Sequence, residues 1–222
     1  MQILQFSDSA FPVGGFSFSN GLETAVFEKI VHDAISLEEY TRTALQQVLY
    51  NDAIAALHAF RAAEQKCHEQ LEVIDRKLLN CKLSAENRIM LTRMGKKMTD
   101  ICIHLHPHPL LQRWQQYIQQ QEEAGCYPIV QAIWFQLHGA IEQELLATLE
   151  YGTMNLILNA ALRCMKISHY DTQAILYRLC RESESHYKEI HDWSLEDMQS
   201  FAPEMEIIAS LHEKGKMRMF MN

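Results

Sequence analysis

Glycine and proline are scarce, at eight and five residues in a chain of 222. Where they occur they close runs of helical hydrophobic spacing, which is the punctuation of an all-helical chain. No segment alternates apolar and polar residues over a strand's length, so no sheet is expected. The six cysteines (Cys67, Cys81, Cys102, Cys126, Cys164 and Cys180) include no CxxC pair. That excludes a zinc ribbon and a thioredoxin-like redox motif and leaves reduced, buried fillers in helices. Excess positive charge is also missing: the net charge is −8, which argues against nucleic acid or an anionic membrane as partner. The most apolar run, Met154 to Leu162, is interrupted by Asn155 and Asn159 and is too short to span a bilayer. The opening "MQILQFSDSAF" lacks a basic stretch and meets Asp8 before any apolar run of signal length. No targeting segment is expected, and the expected location is cytoplasmic.

What remains is helical periodicity. An opening loop leads to a first helix near Gly21, with Leu22, Ala25, Val26 and Ile30 on one face. Ser36 and Glu39 have capping-box spacing, predicting a second helix from Leu37 toward Tyr50. From Asn51 to Cys81 the pattern stays helical but is polar on most sides and reads as a solvent-facing pair of helices or one broken one. Ser84 caps the next helix, where Leu91, Met94, Met98, Ile101 and Leu105 form a narrow seam beside Gly95 and Cys102. After Pro107 and Pro109, a segment carries Leu111, Trp114 and Ile118 on one face and ends by Gly125. Pro128 suits the first turn of its successor. The run from Ile141 to Ile167 is apolar nearly all round past Gly152, the mark of a central helix. Asp171 caps another, Ser194 with Asp197 a short one, and Pro203 starts a last helix ending about His212. The fold class is therefore all-α, a single-domain bundle of roughly eight to ten helices over residues 1–222, with a flexible opening loop (1–20) and tail (213–222).

Chemistry is harder to find. "FPVGGFSFSNGLE", Phe11 to Glu23, has neither the P-loop lysine nor a GxGxxG, and no strand precedes it. "GFSFS" resembles a nucleophile elbow only until Ser19 stands where the second glycine belongs. Ser19 or Asn20 as a helix cap is the better reading, and a hydrolase using Ser17 or Ser19 the remote one. "HLHPHP" puts His104, His106 and His108 at alternate positions, so an extended loop could present three imidazoles to nickel or zinc; the competing reading is a polar interhelical loop. None of the eleven histidines has a glutamate three residues before it, which removes the di-iron bundle. Met94 and Met98 fit core packing. Met217, Met219, Phe220 and Met221 leave an apolar tail, either docking on a partner or folded back on its own body.

Four ordered blocks carry a resemblance: "LQFSDSAFPVGGFSFSNGLETAV", "ENRIMLTRMGKKM", "GCYPIVQAIWF" and "IIASLHEKGKMRMF". Together they resemble the UreF-type urease accessory proteins. The likeness is weak from Asn51 to Cys81 and from Cys102 to Gly125. The resemblance implies an all-α homodimer, not an enzyme and without a cofactor. Such a protein binds the accessory protein UreD (also called UreH) and recruits the GTPase UreG for nickel insertion into apo-urease, with a role in modulating that GTPase. Carried over by position, Phe16, Ser17, Ser19, Gly21 and Glu23 match the opening motif, and His212, Glu213, Arg218 and Phe220 the closing one. Both are regions the family associates with partner docking. Phe16 stands where tyrosine is frequent, and "MKISHYDTQ" replaces the family's Val-Pro-Leu-Gly-Gln turn. The alternative is a stand-alone nickel or zinc carrier using His104, His106 and His108.

Overall fold

A computed structural model describes residues 2–8, 10–212 and 220. No strand is present among the described residues, and ten α-helices have eight or more residues, so the expected all-α class holds. The helices are α1 (Gln2–Ser7), α2 (Leu22–Phe27), α3 (Ala34–Val48), α4 (Ile54–Glu64), α5 (His68–Asn80) and α6 (Ala85–Leu105). They continue with α7 (Pro109–Gln120), α8 (Tyr127–Leu137), α9 (Glu142–Cys164), α10 (His169–Leu179), α11 (Ser183–Ile190) and α12 (Pro203–His212).

Two apolar cores share α9 as their common spine. The first gathers α4 to α8 around Leu57, Ile74, Met98, Trp114 and Ile133, and reaches Leu145 and Leu149 in the first half of α9. The second packs α2, α3 and α10 on the other half of α9 through Leu22, Leu37, Ile157 and Ile175. Past Gly152, however, α9 is not wet on no side. Gly152, Asn159 and Arg163 stay exposed along one stripe.

Several local starts move from their predicted places. The α3 cap is Asp33, whose carboxylate accepts the Ser36 N–H at 2.8 Å while the Ser36 hydroxyl accepts the Asp33 N–H at 3.0 Å. Ser36 therefore sits in the first turn instead of capping with Glu39. Likewise Ser168, not Asp171, caps α10, with Asp171 as the reciprocal partner three residues on. The segment expected as an opening loop contains α1, and Ile30 lies beyond the end of α2.

The largest departure is between Asn51 and Cys81. Helix α3 does not stop near Tyr50 but passes through a π-helical turn, Leu49–Ala53, straight into α4. Helix α4 is among the most buried elements, with Ala55, Ala56, Ala59, Ala62 and Ala63 inside. Alanine contributes little to an apolar stripe, so the pattern looked polar, yet small side chains let α4 lie close along α8. The π turn also buries Asp52, which pairs with the buried Lys82; Lys82 Nζ further donates to Asn51 Oδ1 at 3.0 Å.

Gly95 and Gly125 explain how α6 reaches α8. A Cβ on Gly95 would lie 1.8 Å from the Gly125 carbonyl oxygen, and Gly125 has φ of +89°. The same loop is tied down by buried Asp75 of α5, which accepts the N–H groups of Gly125 (2.9 Å) and Cys126 (2.8 Å).

Candidate functional site

The opening segment is a sequence of tight, mostly occupied turns. Phe11 packs tilted against Phe6 at 4.7 Å between centroids, and Phe6 in turn against Trp134. Gly14, at φ 86°, turns the chain into a short 3-10 stretch, Gly15–Ser17. Both the Ser17 N–H (3.3 Å) and its hydroxyl (2.9 Å) donate to the Gly14 carbonyl. Ser19 is fully buried, and its oxygen accepts the Glu23 N–H at 3.4 Å. One serine closes a turn and the other is sealed inside, so neither is presented as a nucleophile.

Gly21, not Ser19 or Asn20, occupies the N-cap of α2 in the left-handed region, φ 78°. Only glycine enters that region without a Cβ penalty. The turn is held from below by Tyr40, whose hydroxyl donates to the Asn20 carbonyl at 2.7 Å. Burial raises the Tyr40 phenol pKa, keeping it a donor.

Glu23, in the first turn of α2, is where the two ends of the chain meet. Its Oε2 accepts the N–H of Phe220 at 3.1 Å, across 197 residues of sequence. The Phe220 ring is only 5% exposed and belongs to the second core. The Arg163 guanidinium lies 4.1 Å from its centroid, a cation–π contact from the exposed stripe of α9. Burial and then the Glu23 carboxylate push the neighbouring Cys164 thiol up to about 11. Of the two arrangements open for the tail, Phe220 takes the one folded back on its own body. Glu23 and Phe220 are thus brought together, and Ser17 lies half-buried in the same segment. Ser19 and Gly21 shape the segment from inside. The side chains of Phe16 and His212, and residues Glu213 and Arg218 altogether, lie outside the described residues. Arg163 escaped the sequence reading. Its signal was a cation, four residues from Asn159, in a run otherwise read as apolar nearly all round.

The histidine loop does not form a cluster. His104 lies in the last turn of α6 without ring contact to the other two, whereas His106 lies 6.2 Å from His108 and 5.4 Å from His138 between centroids. His108 is already engaged as the cap of α7, its Nδ1 accepting the Leu110 N–H at 3.2 Å. Burial and the neighbouring His106 also lower its pKa. No group of three His, Cys, Asp or Glu among the described residues is arranged to hold a metal ion. All six cysteines are free, with Cys102 and Cys126 buried and Cys180 exposed.

A family model described as UreF matches residues 31–180. The chain belongs to the UreF family. The protein named urease accessory protein UreF 2 of Brucella canis is 41% identical over 222 residues, covering 100% of this chain and 91% of its own length. The urease accessory protein UreF of Photorhabdus laumondii is 38% identical and that of Yersinia pseudotuberculosis 36%, each over 100% of this chain and 97% of its own. The span matched by the UreF model includes neither Glu23 nor Phe220, but the alignments to whole UreF relatives run through both ends. No helix among the described residues is long and apolar enough to cross a membrane.

Proposed function

We propose that this UreF-family chain is a non-catalytic accessory of urease maturation. It acts in the cytoplasm as a homodimer that binds the accessory protein UreD (UreH). Through that complex it recruits the GTPase UreG, modulates its GTP hydrolysis, and supports nickel insertion into apo-urease. The docking surface is built from the opening residues Phe16, Ser17 and Glu23 on the frame of Ser19 and Gly21, together with the closing residues His212, Glu213 and Arg218, with the buried Phe220 as the anchor that ties the closing motif to Glu23. The observation that carries this reading is the Glu23–Phe220 hydrogen bond, because it makes one place out of two motifs at opposite ends of the sequence. A glycine-rich turn lets a partner backbone approach closely, and arginine with aromatic anchors is the composition of interface hot spots. Co-expression of the tagged chain with a UreD-type protein should recover a stable complex, and the purified chain alone should elute as a dimer and hydrolyse no GTP. An empty pull-down from a chain shown to be folded by circular dichroism would remove the reading.

A further inference from the structure

Glu150 stands at the middle of α9 with 3% exposure. One of its oxygens bonds His186 Nδ1 of α11, while the other, Oε2, is buried with no hydrogen-bond partner among the described residues. A buried carboxylate is tolerated only where a cation compensates it. The cation here is an imidazole, which can surrender its charge near neutral pH.

Carboxylates stand around the pair. From its own side, His186 faces Glu182, whose Oε2 lies 3.8 Å from Nε2, and also feels Glu189. Glu189 in turn accepts the Tyr50 hydroxyl at 2.7 Å. Cys180, in the turn before α11, lies near Glu150. Of the permanent cations on these elements, Arg42 of α3 is engaged by Glu182 and stands 3.7 Å from Glu38, and Lys188 of α11 is engaged by Glu184 at 2.7 Å. Glu38 is held in turn by Arg178 of α10. The charges therefore alternate from α9 through α11 and α3 to α10, and His186 is the one link in that row whose positive charge is lost near neutral pH.

We propose that the seating of α11 on α9 is a proton-dependent clasp, closed while His186 carries its proton and loosened when that proton is lost. The hydrogen bond to Glu150 raises the His186 pKa above its ordinary value, with Glu150, Glu182 and Glu189 adding to it against burial. The folded pKa being higher than the unfolded one, the stabilisation is full below about pH 6.5 and disappears as pH rises through the raised value. The buried carboxylate is then left without its cation, and α11 lets go.

Amide hydrogen exchange of residues 183–190 in the full chain, corrected for intrinsic rates at pH 6 and pH 8.5, tests the clasp. Because the folded-state pKa of His186 is raised, loss of its proton weakens closure. Protection of α11 should therefore fall several-fold at the higher pH, with α4 as the unchanged internal reference. His186→Gln should show the low protection at both pH values, and Glu150→Gln should lose the pH dependence. Equal protection of wild-type α11 at the two pH values would overturn the clasp even if neither variant folds. A pH dependence kept intact in His186→Gln would overturn it too.

Discussion

Single residues decide whether the tail is held. Phe220 is buried and bonded, so Phe220→Ala should lower stability by about 2 kcal/mol, read as a shifted urea midpoint. Arg163→Met keeps much of the bulk and loses the cation–π contact, and should cost about 0.5–1 kcal/mol. An unshifted midpoint in Phe220→Ala would show that the ring is not seated in solution. Lys82 gives a sharper contrast because it is buried with Asp52 beside the π turn. Lys82→Met strands a buried carboxylate and should cost about 3 kcal/mol, whereas Lys82→Met with Asp52→Asn should recover most of that loss. The sequence made Glu23 and Phe220 visible as motif positions. Nothing in it could show that they touch, since a contact across the whole chain leaves no local periodicity. Glu150 and His186 were equally hidden: a histidine on α11 and a glutamate on α9 form a pair only once α11 is packed.

At the scale of elements, strongly periodic segments were readable and weakly periodic ones were not. Helix α7 follows its expected apolar face, and Ser84, Pro128 and Ser194 start their elements where the residue chemistry says they should. Helix α4 was misread because alanine scores as neither face, although a helix of small residues is what close packing against α8 needs. The α3 cap was missed because an aspartate three residues earlier completes a reciprocal box with Ser36, and Ser36 in the first turn leaves Glu39 no capping role. The α6–α8 contact carries its own test. Gly95→Ala drives a methyl group into the Gly125 carbonyl, and backbone cannot swing aside as a side chain end does. The substitution should cost about 3 kcal/mol in thermal or urea unfolding. A variant as stable as the wild type would mean that the two helices are not in such close contact.

Across the whole molecule, α9 ties two cores together and carries both polar arrangements on its flanks, Arg163 toward the joined ends and Glu150 toward α11. The two are separate in space and chemistry, so loss of the clasp need not disturb the joined ends. The all-helical class was legible from the absence of strand patterning, and the family from four ordered blocks. What the blocks could not give is that the first and last of them meet, at Glu23 and Phe220. That a partner docks at this meeting place is the proposal at the centre of the account, and the most direct measurement is the affinity of a purified UreD-type partner for the wild-type chain and for Glu23→Ala. Glu23→Ala removes the acceptor that seats the Phe220 backbone and deletes no buried apolar side chain. Binding weakened about tenfold, with unchanged helix content by circular dichroism, is the expected result. An affinity equal to that of the wild type would contradict the claim that the joined ends of this chain are where the partner docks.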